Sequence, residues 1–218
     1  MRIVIDMQGA QSESRFRGIG RYSTAFARAL VKNAGENEIW LALNGLFPET
    51  VESIRTDFDG LIPKERIRVF EVPCPIEEID SKNYWRAKAA ELLREAFLSQ
   101  LKPGIVHISS LFEGFGDNAA SSIGILEKYC INSVTLYDLI PLLNQQMYLN
   151  TQERKHWYFR KIASLKRADL LLAISEYSAK EAVDSLSIAR EKVVNIYAGI
   201  DDCFHPLEIY DDIEKKLG

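Results

Sequence analysis

The first residues whose types and spacing could do chemistry are Arg15, Arg17, Gly18, Gly20 and Arg21. Gly18-Ile-Gly20-Arg-Tyr-Ser23 opens a predicted helix that runs to about Val31, with Ala25, Phe26, Ala29 and Leu30 as its apolar stripe. A helix N-terminus leaves N–H groups unpaired and carries the positive end of the helix dipole, which favours an anion. The arginines add charge of the same sign. The stretch reads as an anion-binding corner; the alternative is that its glycines only let a helix start close to a sheet. A dinucleotide is the obvious anion, but the match to its fingerprint is poor. Ser23 stands where the third glycine belongs, and eleven residues, Met7 to Arg17, replace the tight turn. The second strand ends on Asn44-Gly45, without the acidic residue that would hold a ribose.

Carboxylates form the second set. Met1-Arg-Ile-Val-Ile-Asp6 and Ser133-Val-Thr-Leu-Tyr-Asp138 are apolar, β-branched runs that each end on an aspartate, so in a parallel sheet both reach the same edge. There Asp138, preceded by Tyr137, can position a substrate hydroxyl, act as a base or cap the next helix, and the same choice holds for Asp6. Leu111-Phe-Glu-Gly-Phe-Gly116 is a glycine-rich loop after a buried strand, where open α/β sheets line their ligand crevice. Glu113 is therefore a candidate, with an ordinary solvated carboxylate as the alternative. Ser175 can cap a helix, and Ser178 can line the same crevice. His107, between Val106 and Ile108, reads as a packed core residue. No nucleophile elbow, Cys/His dyad or paired metal ligands occur in suitable context.

The elements that must hold these residues alternate between short apolar strands and helices, the pattern of an α/β domain with a mostly parallel sheet. Strands are predicted at 1–6, 38–43, 67–72, 105–109, 133–138, 168–174 and 193–197. Helices are predicted at about 48–58, 84–101, 151–167 and from 175. In the 84–101 helix Trp85, Ala89, Leu92, Leu93, Ala96, Phe97 and Leu101 share one face, which marks that face as the buried one. The 151–167 helix has Thr151 as N-cap and carries Arg154, Lys155, Arg160, Lys161, Lys166 and Arg167 against Glu153 alone, with Trp157, Tyr158 and Phe159 between them. Such a helix can rest on an anionic membrane surface, or it can pack on the sheet with a solvated outer face.

Bulk properties narrow the classes. The 218 residues suit a large domain with a sizeable core, and 47% apolar with 27% charged residues is ordinary for a globular chain. A net charge of -4 argues against a nucleic-acid footprint. Cys74, Cys130 and Cys203 lack metal-ligand spacing and read as reduced thiols, which fits a cytoplasmic location. No signal peptide or membrane-spanning run is expected.

Taken in order, the Ile-Val-Ile-Asp6 strand, Arg17-Gly-Ile-Gly-Arg-Tyr22, Tyr137-Asp-Leu-Ile-Pro141, Ala173-Ile-Ser-Glu-Tyr-Ser178, Ala198-Gly-Ile-Asp201 and Phe204-His-Pro206 form a series. It resembles the N-terminal domain of retaining family 4 glycosyltransferases, in particular the bacterial mannosyltransferases that extend O-antigen and other surface polysaccharides. The resemblance covers residues 1–206. It implies a single Rossmann-like domain with helices on both faces, the N-terminal half of a GT-B fold. It further implies an acceptor-binding domain over 1–206, the start of an interdomain linker over 207–218, and a C-terminal donor domain outside this chain. The family's donor-domain pair of glutamates eight positions apart is missing here, so the fragment is expected to be inactive alone.

The implied reaction moves a hexose, with mannose as the first expectation, from a nucleotide-diphosphate sugar such as GDP-mannose to a growing polysaccharide or lipid-linked glycan. No cofactor and no metal are implied. On this resemblance Gly18, Gly20 and Arg21 face the donor phosphates or the acceptor. Tyr137 and Asp138 approach the transferred sugar and the acceptor hydroxyl, and Glu113, Ser175 and Ser178 line the cleft. Many members carry histidine where this chain has Tyr137, which puts any histidine-centred mechanism in doubt. The usual front-face mechanism needs no strong enzymic base, because the leaving diphosphate takes the acceptor proton. The implied location is the cytoplasm, with peripheral contact at the inner face of the membrane through the 151–167 helix. Two other classes fit less of the sequence: a non-catalytic Rossmann-like binding module, and a nucleotide-dependent oxidoreductase.

Overall fold

The computed structural model describes residues 1–126 and 130–199. Seven parallel strands form one sheet: β1 (Arg2–Asp6), β2 (Glu38–Asn44), β3 (Ile67–Phe70), β4 (Ile105–Ile108), β5 (Ile131–Leu136), β6 (Leu170–Ala173) and β7 (Val193–Asn195). Their order is β3-β2-β1-β4-β5-β6-β7, so the chain winds outward from β1 and then returns to β4. Strand order reverses between β1 and β4, and ligands of open α/β sheets bind outside the carboxyl ends at that point. Tyr137 and Asp138 lie just past β5 rather than within it. The motif from Ile200 through Pro206, Cys203 and the 207–218 tail lie outside the described residues.

Alternation along each strand divides the core. Ile5, Ile39, Leu41 and Ile67 pack on one side with α1 (Gly18–Lys32) and α2 (Pro48–Asp57). Val4, Val106, Ile108, Val134 and Leu171 pack on the other with α3 (Tyr84–Gln100), α6 (Gln152–Leu165) and α7 (Glu176–Leu186). Two single-turn helices, α4 (Ile140–Leu143) and α5 (Gln145–Tyr148), follow β5. Each large aliphatic side chain buried this way contributes about 1.5–3 kcal/mol. Among the described residues no helix is long and apolar enough to cross a membrane.

Three helices sit differently from the sequence expectation. In α1 the buried line is Gly20, Ser23 and Ala27, while Ala25 and Ala29 are exposed, because the close approach to the sheet admits only small side chains. α3 is turned further still. It buries Ala87, Ala90, Glu91, Arg94, Glu95 and Leu98 and leaves Trp85, Leu92 and Leu93 exposed. Its inward charges are all paired: Arg94 with Asp6, Glu91 with Lys161 and Arg160, and Glu95 with the hydroxyl of Ser122 and the amide of Ile125. This charged face clamps together the end of β1, the loop after β4 and α6, and those bonds outweigh the apolar stripe.

α6 begins at its Thr151 cap, whose hydroxyl accepts the amide of Arg154 at 3.2 Å. Its basic face is only in part the solvated stripe that the composition suggests, with Lys155, Lys166 and Arg167 exposed. Lys161 is buried, and its ammonium donates to Glu91 Oε1 at 3.0 Å and to the Ser121 carbonyl at 2.6 Å. Arg160 is drawn inward to Glu78 and Glu91. Burial alone would push the Glu91 carboxyl up, but Lys161 and Arg160 hold it below its ordinary value. Lys161 therefore cannot serve a membrane surface.

Candidate functional site

The loops at the switch point are built around buried amides. The β1 loop contains two short 3-10 turns, Gln8–Ala10 and Glu13–Phe16. Asp6 accepts from the Gln8 amide at 3.0 Å and from Arg94 Nε at 2.6 Å, so it anchors the loop and does not reach the crevice. The Gln8 side chain bonds both the carbonyl and the amide of Ala120, and Asn44 donates to Gln8 Oε1 at 2.9 Å. Three loops thus become one shelf. Gly9 makes this possible: a Cβ there would lie 2.8 Å from Ser23 Oγ and 2.9 Å from Ser110 Cβ. Nothing in the sequence marks Gly9 except a lone glycine three residues past a strand.

Above the shelf the structure gathers hydroxyls. Tyr137 donates to the Ser109 carbonyl at 3.2 Å, lies 3.4 Å from Ser23 Oγ and meets Tyr22 edge-on with ring centroids 5.7 Å apart. Ser178 donates to the Tyr137 carbonyl at 2.6 Å and stands 2.9 Å from Ser175 Oγ. Ser175 is the N-cap of α7 and accepts the Ser178 amide at 3.0 Å. The two serines fix the backbone that carries Tyr137 and Asp138. Burial pushes the Tyr137 phenol well above its usual range, so it stays a hydrogen-bond donor and cannot act as a base. Asp138 is exposed, and its carboxylate accepts the Ile140 amide at 3.0 Å at the start of α4.

Glu113 is buried in the adjoining loop, not solvated. Its oxygens accept from Ser12 Oγ at 2.9 Å and Ser110 Oγ at 2.7 Å. Burial raises its carboxyl to about 7, with neighbouring Asp117 pushing the same way. Ser109 and Ser110 join this carboxyl to the Tyr137 hydroxyl group, so the two sequence candidates share one wall. Ser12, Ser23, Ser109 and Ser110 escape sequence reading because isolated serines carry no periodic signal. His107 lies beneath, its ring nitrogens 2.9 Å from Ser133 Oγ and 3.1 Å from Thr135 Oγ1, and burial lowers it to about 4.

The N-terminus of α1 closes one side. Arg17 is its N-cap residue and makes no side-chain cap bond to the amides of the first turn. Gly18 is exposed with open space around its Cα. Gly20 is buried, and a Cβ there would fall 2.3 Å from Arg15 Cα. Its lack of a side chain thus serves packing of the loop against the helix. Arg21 and Arg17 are exposed, whereas Arg15 is spent on Glu49 at 3.0 Å and the Gln11 carbonyl at 2.6 Å. Among the described residues no group of three or more His, Cys, Asp or Glu side chains could hold a metal ion. What the arrangement presents is an exposed carboxylate at Asp138, a half-buried Tyr137 and a cationic helix end, held from beneath by a layer of buried, internally bonded serines.

Comparisons with known proteins give the family. The family model described as Glycosyltransferase Family 4 matches residues 16–203. A serotype-specific mannosyltransferase WbdA of Escherichia coli is 35% identical over 205 residues, covering 94% of this chain and 24% of the relative. A second protein of the same name and organism is 31% identical over 82% of this chain and 22% of its own length. The chain thus spans about a quarter of the curated relatives it matches. In fold it is similar to a UDP-GlcNAc 2-epimerase from Neisseria meningitidis, with a TM-score of 0.57 at 12% identity over 89% of this chain and 46% of that one. It is also similar to a glycosyltransferase from Rickettsia africae, with a TM-score of 0.50 at 16% identity over 99% of this chain and 48% of that one. With the family model matching most of its length, the chain belongs to glycosyltransferase family 4.

Proposed function

We propose that this chain is the acceptor-binding half of a retaining GT-B glycosyltransferase that moves mannose from GDP-mannose to a growing polysaccharide or lipid-linked glycan. The observation that carries the reading is 35% identity, over 94% of the chain, to a protein named a mannosyltransferase. The exposed Asp138 carboxylate at the sheet edge, on a backbone fixed by Ser178, supports it, because a carboxylate can accept from a sugar hydroxyl. In this reading Asp138 holds the acceptor hydroxyl and Tyr137, whose own proton goes to the Ser109 carbonyl, approaches the transferred sugar. The first-turn amides of α1 at Gly18 and Gly20, with Arg21, face the donor phosphates. Glu113 holds the wall in place through Ser12 and Ser110. Among the described residues none is placed to be a strong base, and the leaving diphosphate takes the acceptor proton. The protein's contribution is then positioning and charge stabilisation. The enzyme works in the cytoplasm, with no cofactor and no metal.

Saturation-transfer NMR on this chain tests the assignment. A mannose-terminated oligosaccharide should show contacts that Asp138→Ala removes, and GDP-mannose should yield no transferred product, since the donor domain lies elsewhere. Tight NAD binding with no glycan contact would favour a nucleotide-dependent oxidoreductase instead. Product formation by this chain alone would refute its role as a half-site.

A further inference from the structure

We propose that Glu181 is a positioning residue for Asp138, fixing the backbone just past the aspartate so that its carboxylate points at the acceptor hydroxyl. This role rests on the reading of Asp138 as the acceptor contact and adds what aims it. Ser175, Ser178 and Glu181 fall at three-residue steps and so share one face of α7 and its cap. Ser178 Oγ donates to the Tyr137 carbonyl at 2.6 Å, and Glu181 Oε2 accepts the Leu139 amide at 3.2 Å. Those groups belong to the two peptide units that flank Asp138. A peptide unit is planar, so holding both fixes φ and ψ of the residue between them, and with them the direction of its Cβ. The Ile140 amide, 3.0 Å from Asp138 Oδ1, then sets the side chain itself. Among the described residues the second carboxylate oxygen accepts no hydrogen bond and is left for a ligand.

The turn after β5 holds itself poorly. α4 and α5 are single turns, and Ile140, Leu143 and Met147 on them are exposed. Rigidity has to come from α7, which is eleven residues long and anchored in the core by Ala179, Ala182 and Leu186. Glu181, 7% exposed, suits the task because an ionised carboxylate carries only acceptors. Whichever oxygen turns toward Leu139, the same bond forms. One contact would tether the loop; two that bracket Asp138 give its side chain a direction, as a group that must meet a ligand requires. Tyr158, 2% exposed, lies beneath the same turn, but its hydroxyl makes no hydrogen bond with residues 137–139.

Titration of the full chain with a mannose-terminated oligosaccharide, followed by NMR, tests the role. Glu181→Leu should weaken binding about tenfold in protein that is still folded. Glu181→Gln, which keeps an oxygen within reach of Leu139, should restore it to within about twofold of wild type. Tyr158→Phe, which removes a hydroxyl from the same region, should bind as wild type does. In the wild-type chain the Leu139 amide should exchange with solvent at least about a hundredfold more slowly than a free peptide, a measurement that stands even where Glu181→Leu fails to fold. Free exchange at Leu139 would overturn the role. So would normal binding by folded Glu181→Leu, a glutamine variant as weak as the leucine one, or equal damage from Tyr158→Phe. Binding lost in Asp138→Ala but kept in Glu181→Leu defeats the role of Glu181 alone. A glycan that ignores the wild-type chain, or binds Asp138→Ala unchanged, defeats the reading of Asp138 and the role of Glu181 with it.

Discussion

Asp6 and Asp138 follow similar apolar runs and come to the same edge of one sheet. Asp6 is 1% exposed and clamped by Arg94, Gln8 and the loop after β4, whereas Asp138 stands in solvent and accepts one amide at the start of α4. The difference comes from what crosses above each strand. β1 is central, and α3 delivers an arginine to its end from 88 residues away. Beyond β5 the chain breaks into the single turns α4 and α5, and no cation is brought to Asp138 among the hydrogen bonds of the described residues. A carboxylate at a strand end is architecture when another helix partners it and is available for chemistry when none does.

Five substitutions would break or sharpen that contrast. Asp6→Ala should cost the most, about 3–5 kcal/mol, because it removes the carboxylate that the buried Arg94 pairs with and the acceptor that holds the Gln8 loop. Urea denaturation measures it, and a loss comparable to that of Asp138→Asn would erase the distinction. Glu113→Gln acts through pH. Burial holds the folded carboxyl near 7 against 4.5 for the free group, so the folded state binds more protons between those values and stability falls as pH rises through that window. The glutamine variant should gain up to about 3 kcal/mol above pH 7 and nothing below pH 4.5. Melting curves across pH that run parallel for the two proteins would remove that account.

Gly20→Ala should follow at about 1–3 kcal/mol, since its Cβ would meet the Arg15 backbone, which cannot swing aside as a side chain would. Gly18→Ala, into open space, is its control and should cost well under half as much. Asp138→Asn should move stability least, by under about 1 kcal/mol, the worth of an exposed cap. Its effect belongs in the reaction: mannosyl transfer by the whole enzyme should drop at least about tenfold without a matching loss of folded protein. Full activity in that variant would show that the exposed carboxylate is as structural as the buried one.

Much of the frame was readable because strands announce themselves locally. All seven strands overlap predicted apolar runs, and the Thr151 and Ser175 caps follow from side chains that bond the amide three residues on. The face of α3 was not readable. Its stripe of Trp85, Leu92 and Leu93 has good helical periodicity, yet Glu91, Arg94 and Glu95 take the inside because their partners lie in β1, α6 and the loop after β4. The basic run of α6 misled for the same reason, since Lys161 is neutralised by a residue 70 positions earlier. Glu113 was found through its loop, while Ser12 and Ser110, which hold it, carry no pattern of their own.

By itself the sequence determined the parallel α/β frame, the uncapped start of α1, and the Tyr137-Asp138 pair at the sheet edge. Strand patterning, helix ends and ordered motifs are properties of neighbouring residues, and they survive without knowledge of the rest of the chain. The tertiary structure alone decided which aspartate is spent on an ion pair, which glycine is required by a backbone 2.3 Å away, and which face of α3 meets solvent. Those outcomes rest on pairings between residues distant in sequence, and a buried charge goes wherever its counter-charge can follow it out of water.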